Sequence, residues 1–156
     1  MYLVSFVCSG NICRSPMAES VFRQHVAKAG LAERVEVNSA GIGGWHVGEP
    51  MDERGADTLA AAGYPTEHGA AQVGPEHLRA DLILAMDRGH YRSLLRLVDD
   101  PGTVRMFRSF DPSADPDDLD VPDPYYGPTD GFDALLPMIE AAMPGLIDFV
   151  RTEVTG

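Results

Sequence analysis

The sequence predicts a doubly wound α/β fold: a parallel sheet of about four strands with helices, about five, on both faces. Three observations lead there. Short apolar runs rich in Val, Ile, Leu and Phe alternate with longer amphipathic runs. The first three elements read strand, helix, strand, a βαβ unit whose crossover makes the strands parallel. The loop after the first strand carries Ser, Gly and Asn and the loop after the second is glycine-rich, and ligands of such sheets bind beyond the carboxyl ends of the strands.

Tyr2-Leu3-Val4-Ser5-Phe6-Val7 is apolar and β-branched, as a buried strand should be. Pro16 suits the first position of a helix that carries Met17, Val21, Phe22, Val26 and Ala29 on one stripe and stops at Gly30. Arg34 to Ala40 alternates as a second strand, and Gly41 to Pro50 is a glycine-rich loop. Asp52 to Ala62 reads as a helix with Met51 or Asp52 at its cap and Gly63 ending it. Pro65 to Glu76 reads as loop, Asp81 to Met86 as a third buried strand and Arg88 to Val98 as a helix. Thr103 to Phe107 gives a weaker fourth strand. Phe110 to Pro128 is rich in Asp and Pro and reads as loop. A last long helix begins near Thr129-Asp130 and runs through Val150, with Pro137 and Pro144 in conflict with it, as a kink or an earlier boundary.

The 156 residues suffice for one domain, 1–156, with a full core. At a net charge of −12 a general nucleic-acid binder is not expected, because phosphate backbones need Lys and Arg. Neither a signal peptide nor a membrane span is expected. Both cysteines stand in one loop, so there is no disulfide framework, and a reducing cytoplasm is the expected location.

That loop, Cys8-Ser9-Gly10-Asn11-Ile12-Cys13-Arg14-Ser15, joins a strand's end to a helix's N-terminus. Backbone N–H groups from Ser9 through Ser15, beside the positive end of a helix dipole, make an oxyanion cradle. Cys8 stands at its base, where N–H groups, dipole and Arg14 should all favour the thiolate. Arg14 supplies a planar fork for two phosphate oxygens. Nucleophile, cradle and clamp within eight residues point to phosphoryl transfer to cysteine, followed by hydrolysis. The leaving oxygen then needs a proton. Asp111, Asp115, Asp117, Asp118, Asp120 and Asp123 are all candidates; Asp123 stands out because Pro124 stiffens the chain behind it and Tyr125 and Tyr126 can wall an aromatic substrate. Trp45 reads either as a further wall or as a plug over the core.

Val7-Cys8-x-Gly10-Asn11-Ile12-Cys13-Arg14-Ser15-Pro16-x-Ala18-Glu19, together with Asp123-Pro124-Tyr125-Tyr126-Gly127, resembles the low-molecular-weight protein tyrosine phosphatases. The resemblance implies a sheet of order 2-1-3-4, Asp123 as general acid and then as base for water, and Tyr125 and Tyr126 lining the pocket. It implies that Asn11 holds the loop by hydrogen bonds with Ser39 as a partner, and that Ser15 donates to the Cys8 sulfur. His68 and Asp87 match positions that support the loop. Phosphotyrosine-containing proteins are the implied substrates, through a phosphocysteine intermediate. No cofactor and no metal are expected, since the histidines show no metal spacing. Oligomeric state is open, with a monomer favoured.

Cys13 reads either as a redox partner of Cys8 or as an inert buried thiol. An arsenate reductase on the same fold would need cysteines after Cys13, and there are none. Phosphoarginine phosphatases of this resemblance carry Thr where Ile12 stands, and Ile cannot hydrogen-bond. A silent phosphate-binding module would have lost Cys8, Arg14 or Asp123, all of which are present.

Overall fold

Strand β1 (Tyr2–Cys8) is the middle of the fold. In the computed structural model, which describes residues 1–128 and 130–155, it pairs in parallel with β2 (Val35–Gly41) on one side and with β3 (Leu82–Ala85) on the other. β4 (Val104–Met106) pairs with β3, so the order is β2-β1-β3-β4, all parallel. The chain leaves β1 toward β2 and returns across it to β3. The switch point therefore lies at the carboxyl ends of β1 and β3.

Alternate residues of β1 serve different layers. Val4, Phe6 and Cys8 join one cluster with α1 (Arg14–Lys28), α2 (Glu53–Ala61) and α5 (Asp130–Thr155). Leu3 and Val7 join a second cluster with Ile83, Ala85 and Leu94, on the side of α3 (Pro75–Leu78) and α4 (Arg88–Leu95). Burial on both faces is why β1 reads as continuous apolar sequence. Phe6 packs edge-on against Phe22 at 5.5 Å and against Phe107 at 5.7 Å.

Several boundaries differ from the sequence reading. α1 starts at Arg14, two residues before Pro16. The first helical N–H groups have no intrahelical acceptor, so proline is harmless there. α3 arises inside the stretch read as loop from Pro65 to Glu76; it is four residues long, too short to show periodicity. α4 ends at Leu95 rather than Val98, and Leu97 is exposed. The weak fourth strand stops at Met106, and Phe107–Phe110 forms a 3-10 turn. α5 runs without a break through Pro137 and Pro144. Each proline costs about 3 kcal/mol in lost bonding and crowding. The helix buries Phe132, Leu135, Leu136, Ile139, Met143, Leu146, Ile147 and Val150, and each such side chain contributes roughly 1.5–3 kcal/mol, so packing prevails. Gly145 lets α5 cross the 3-10 turn: a Cβ there would stand 2.1 Å from the Phe110 carbonyl oxygen. Thr129, read as the start of this helix, lies outside the described residues. From Asp111 to Pro128 the chain forms no helix or strand, and Val121 is buried in mid-course. Among the described residues no helix is long and apolar enough to cross a membrane.

Candidate active site

The loop from Cys8 to Ser15 closes on the Cys8 sulfur. Asn11 takes φ 60°, and its N–H donates to Cys8 Sγ at 3.3 Å. Ser15 Oγ lies 2.9 Å from the same sulfur. Asn11 Nδ2 donates to Ser15 Oγ at 2.8 Å and to Ser39 Oγ at 2.9 Å. Ser15 Oγ thus accepts from Asn11 and has its own hydrogen to give to sulfur. Ser39 in turn donates to Glu19. Asn11 Oδ1 accepts from the Ala71 N–H at 2.9 Å, and the Asn11 carbonyl oxygen lies 2.6 Å from His68 Nε2. An L-residue at positive φ is held there by five neighbours, which offset the roughly 1–2 kcal/mol that the conformation costs.

The loop is fastened from outside as well. Ile42 N–H donates to the Cys8 carbonyl at 2.9 Å, Gly43 N–H to that of Ser9 at 3.0 Å and Asp52 N–H to that of Ile12 at 2.7 Å. Gly41 passes so close that a Cβ would meet Gly10 C and Ser9 O at 2.8 Å. Only glycine fits at that strand end.

Arg14 is buried, with its side chain 3% exposed. Nη1 donates to Asp87 Oδ2 at 2.9 Å and to the Val121 carbonyl at 3.0 Å. Nη2 donates to Ser9 Oγ at 3.3 Å and lies 3.6 Å from Asp123 Oδ2. Asp87 caps α4, accepting the His90 N–H at 3.0 Å. Burial opposes its charge, but the His90 amide and then Arg14 outweigh burial and hold its carboxyl below the usual range. His90 sits against Asp87 and Ser9, and burial pushes its pKa down to about 4.

A cleft of about 460 Å³ opens above the sulfur. Cys8, Ser9, Gly10, Ile12, Cys13 and Arg14 line its floor; Trp45, His46, Tyr125, Tyr126 and Asp123 rise around it. Trp45 is 72% exposed, so it is a wall and not a plug over the core. Tyr126 is 93% exposed and meets Tyr125 edge-on at 4.8 Å. Asp123, 47% exposed, accepts the Tyr125 N–H at 3.0 Å. Cys13 stands at the N-cap position of α1 without a side-chain capping bond; burial first, then Asp52, pushes its thiol up to about 12. Ser15 lies in the first turn of α1.

Of the six candidate aspartates only Asp123 lines the cleft, together with Cys8, Ser9, Gly10, Ile12, Cys13, Arg14, Trp45, Tyr125 and Tyr126, while Asn11, Ser15 and Ser39 bond beneath it. Others were not singled out. Gly41 and Glu19 act through the loop and through Ser39. Arg54 donates to the Tyr125 carbonyl at 3.1 Å and covers the Tyr125 ring at 5.7 Å. His90 left one legible trace, the Asp-x-x-His spacing of a capping box after a strand. Arg54 left none, because its partner lies 71 residues away. A sulfur under two donors, a guanidinium beside it and a carboxylate over the same cleft can bind a phosphate monoester, attack it and protonate what leaves.

Residues 3–155 match the family model for low molecular weight phosphotyrosine protein phosphatase. Low molecular weight protein-tyrosine phosphatase A of Mycobacterium tuberculosis (strain ATCC 25618 / H37Rv) is 56% identical over 147 residues, covering 94% of this chain and 90% of that protein. A low molecular weight protein-tyrosine-phosphatase of Streptomyces coelicolor is 53% identical over 159 residues, covering 99% and 97%. A crystal structure of a protein tyrosine phosphatase from Entamoeba histolytica, with Hepes in its active site, superposes with a TM-score of 0.92 at 30% identity, covering 98% of this chain and 99% of that one.

Proposed function

This chain belongs to the low molecular weight phosphotyrosine protein phosphatase family, and from that premise we propose that Cys8 is its nucleophile, Arg14 its phosphate clamp and Asp123 its general acid and base. The reaction is hydrolysis of phosphotyrosine through phosphocysteine. Cys8 Sγ attacks phosphorus in line as the bond from phosphorus to the tyrosyl oxygen breaks. The Asp123 carboxyl hands its proton to that oxygen. The resulting carboxylate takes a proton from water, whose oxygen attacks phosphorus, and the sulfur–phosphorus bond breaks. Ser15 donates to the departing Sγ, which makes sulfur a better leaving group.

One observation carries this assignment. Asp123 and Cys8 open onto the same cleft, with Arg14 Nη2 beside the Asp123 carboxylate at 3.6 Å. The N–H groups of Gly10, Ile12 and Cys13, with that of Ser9, complete the cradle in this reading. Depth then selects the substrate: a tyrosyl ring between Trp45, Tyr125 and Tyr126 reaches the floor, and the shorter phosphoserine does not. Ile12 presents an apolar surface to the ring, which favours an aryl over a guanidino leaving group. Residues 1–156 act in this reading as one catalytic domain on phosphotyrosine proteins. The two thiols are free, which suits a reducing cytoplasm.

The test is hydrolysis of phosphotyrosine, phosphoserine and phosphoarginine peptides side by side, with Cys8→Ser as control. Turnover of the first alone, abolished by Cys8→Ser while inorganic phosphate still binds, is expected. Faster release from phosphoarginine, or turnover near wild type in Cys8→Ser, would overturn the assignment.

A further inference from the structure

We propose that the Ser9 hydroxyl is a hydrogen-bond donor to the phosphoryl group, and that His90 is the positioning residue that turns it toward the cleft; this rests on the phosphate site described above. Four residues from the loops and first helical turns that follow β1 and β3 carry the inference: Ser9, Arg14, Asp87 and His90.

The Asp87 N–H donates to His90 Nδ1 at 3.2 Å. That nitrogen therefore uses its lone pair and carries no proton, since a proton on it would abut the amide hydrogen. Asp87 Oδ1, also 3.2 Å from Nδ1, already accepts the His90 N–H. A neutral imidazole with Nδ1 bare carries its hydrogen on Nε2. Burial keeps the ring neutral, with a pKa down to about 4. Nε2 lies 2.9 Å from Ser9 Oγ, so His90 donates and Ser9 accepts. Arg14 Nη2 also donates to Ser9 Oγ, at 3.3 Å.

A hydroxyl oxygen has two lone pairs and one hydrogen. His90 and Arg14 fill both lone pairs, and only the hydrogen is left. Ser9 lines the floor of the cleft beside Cys8 and Arg14, so that hydrogen is available to an oxyanion. The cradle thereby gains a side-chain donor next to its N–H groups, turned by a histidine that does not itself reach the substrate. The histidine has a second use: through Asp87 it ties the same unit to Nη1 of the clamp.

The experiment measures inhibition by inorganic phosphate and kcat/KM for phenyl phosphate in Ser9→Ala, Ser9→Thr, His90→Leu, His90→Gln and the double variant Ser9→Ala/His90→Leu. A hydrogen bond to a charged group is worth about 10- to 100-fold in affinity, so Ser9→Ala should weaken phosphate by about 10-fold or more. Ser9→Thr keeps the hydroxyl and should stay within about threefold of wild type. His90→Leu should match Ser9→Ala, and the double variant should be no worse than either, because both remove one interaction. His90→Gln, able to accept with its oxygen and donate with its nitrogen, should recover most of the loss. Phosphate affinity within twofold of wild type in Ser9→Ala overturns the proposal, as do losses that multiply in the double variant. So does an altered acid limb of the pH–rate profile with unchanged phosphate affinity, which would mean that the hydroxyl serves Asp123. Should His90→Leu fail to fold, the pair Ser9→Ala and Ser9→Thr decides. Failure here leaves the phosphatase assignment standing, since that assignment depends on wild-type turnover and on Cys8→Ser.

Discussion

Between Cys8 and Ser15 all residues but Ser9 and Gly10 are buried, and neighbouring strands, loops and side chains bond to the segment from several sides. Between Asp111 and Pro128 only Val121 and Pro124 are buried. That second segment hangs on arginine side chains, the Arg88 N–H bond to Asp120 Oδ1 at 2.9 Å and a few backbone bonds. Arg108 Nη1 donates to the carbonyls of Asp118 and Asp120, Arg14 to that of Val121 and Arg54 to that of Tyr125. The Val121 N–H donates to the Met86 carbonyl at 2.7 Å. The contrast suits two different tasks. An anion cradle stabilises charge only if its donors are in place beforehand. A proton donor must let substrate and water pass, and an exposed loop allows that. The cradle should therefore link activity to stability, while the acid segment should separate them.

Asp123→Ala gives the largest expected break in that contrast. Turnover of aryl phosphates should fall about 10²–10⁴-fold, and less for very acidic leaving groups, while the urea midpoint stays close to wild type. Equal losses for acidic and basic leaving groups would count against the acid role. Asn11→Ala attacks the other region. It leaves buried Ser15, Ser39 and the Ala71 N–H short of a partner and keeps a strained φ, so stability should drop by about 3 kcal/mol with activity falling alongside. Chemical denaturation that shows under 0.5 kcal/mol (about the surface-substitution level) would mean the loop needs no such pin. The third prediction uses acid. His90 takes a proton near pH 4 when folded and near 6.5 when unfolded. Between those values the unfolded chain holds more protons, so stability falls as pH drops from about 6.5 toward about 4. Denaturation at pH 7 and pH 4.5 should differ by about 2–3 kcal/mol. His77, also lowered by burial, adds in the same direction. His90→Gln should remove most of the difference; an unchanged slope would place the titration elsewhere. Asp52 and Asp87, held low, act only below the ordinary carboxylate range.

Much of this was legible in the chain. The strand before Cys8, the helix after it and the Asp123-Pro124-Tyr125-Tyr126 run are local patterns, read from spacing and side-chain type alone. What local pattern missed is local too: α3 is a single turn. The last helix was legible, but whether Pro137 and Pro144 would kink or end it was settled by the burial of its apolar face. Trp45 could be a plug or a wall until its exposure was known.

Residues one to eight, or four, apart along the chain can announce themselves, because helix, turn and capping geometry tie such positions together whatever the rest of the chain does. By that route the sequence determined that Cys8, the loop after it and Arg14 stand together between a strand's end and a helix's start. That Asp123 comes to stand over the cleft, that a strand-end glycine must be bare to let the loop pass, and that His90 reaches Ser9 from 81 residues away were decided only by the order β2-β1-β3-β4. Long-range neighbours depend on which strand lies beside which, and no local periodicity encodes that.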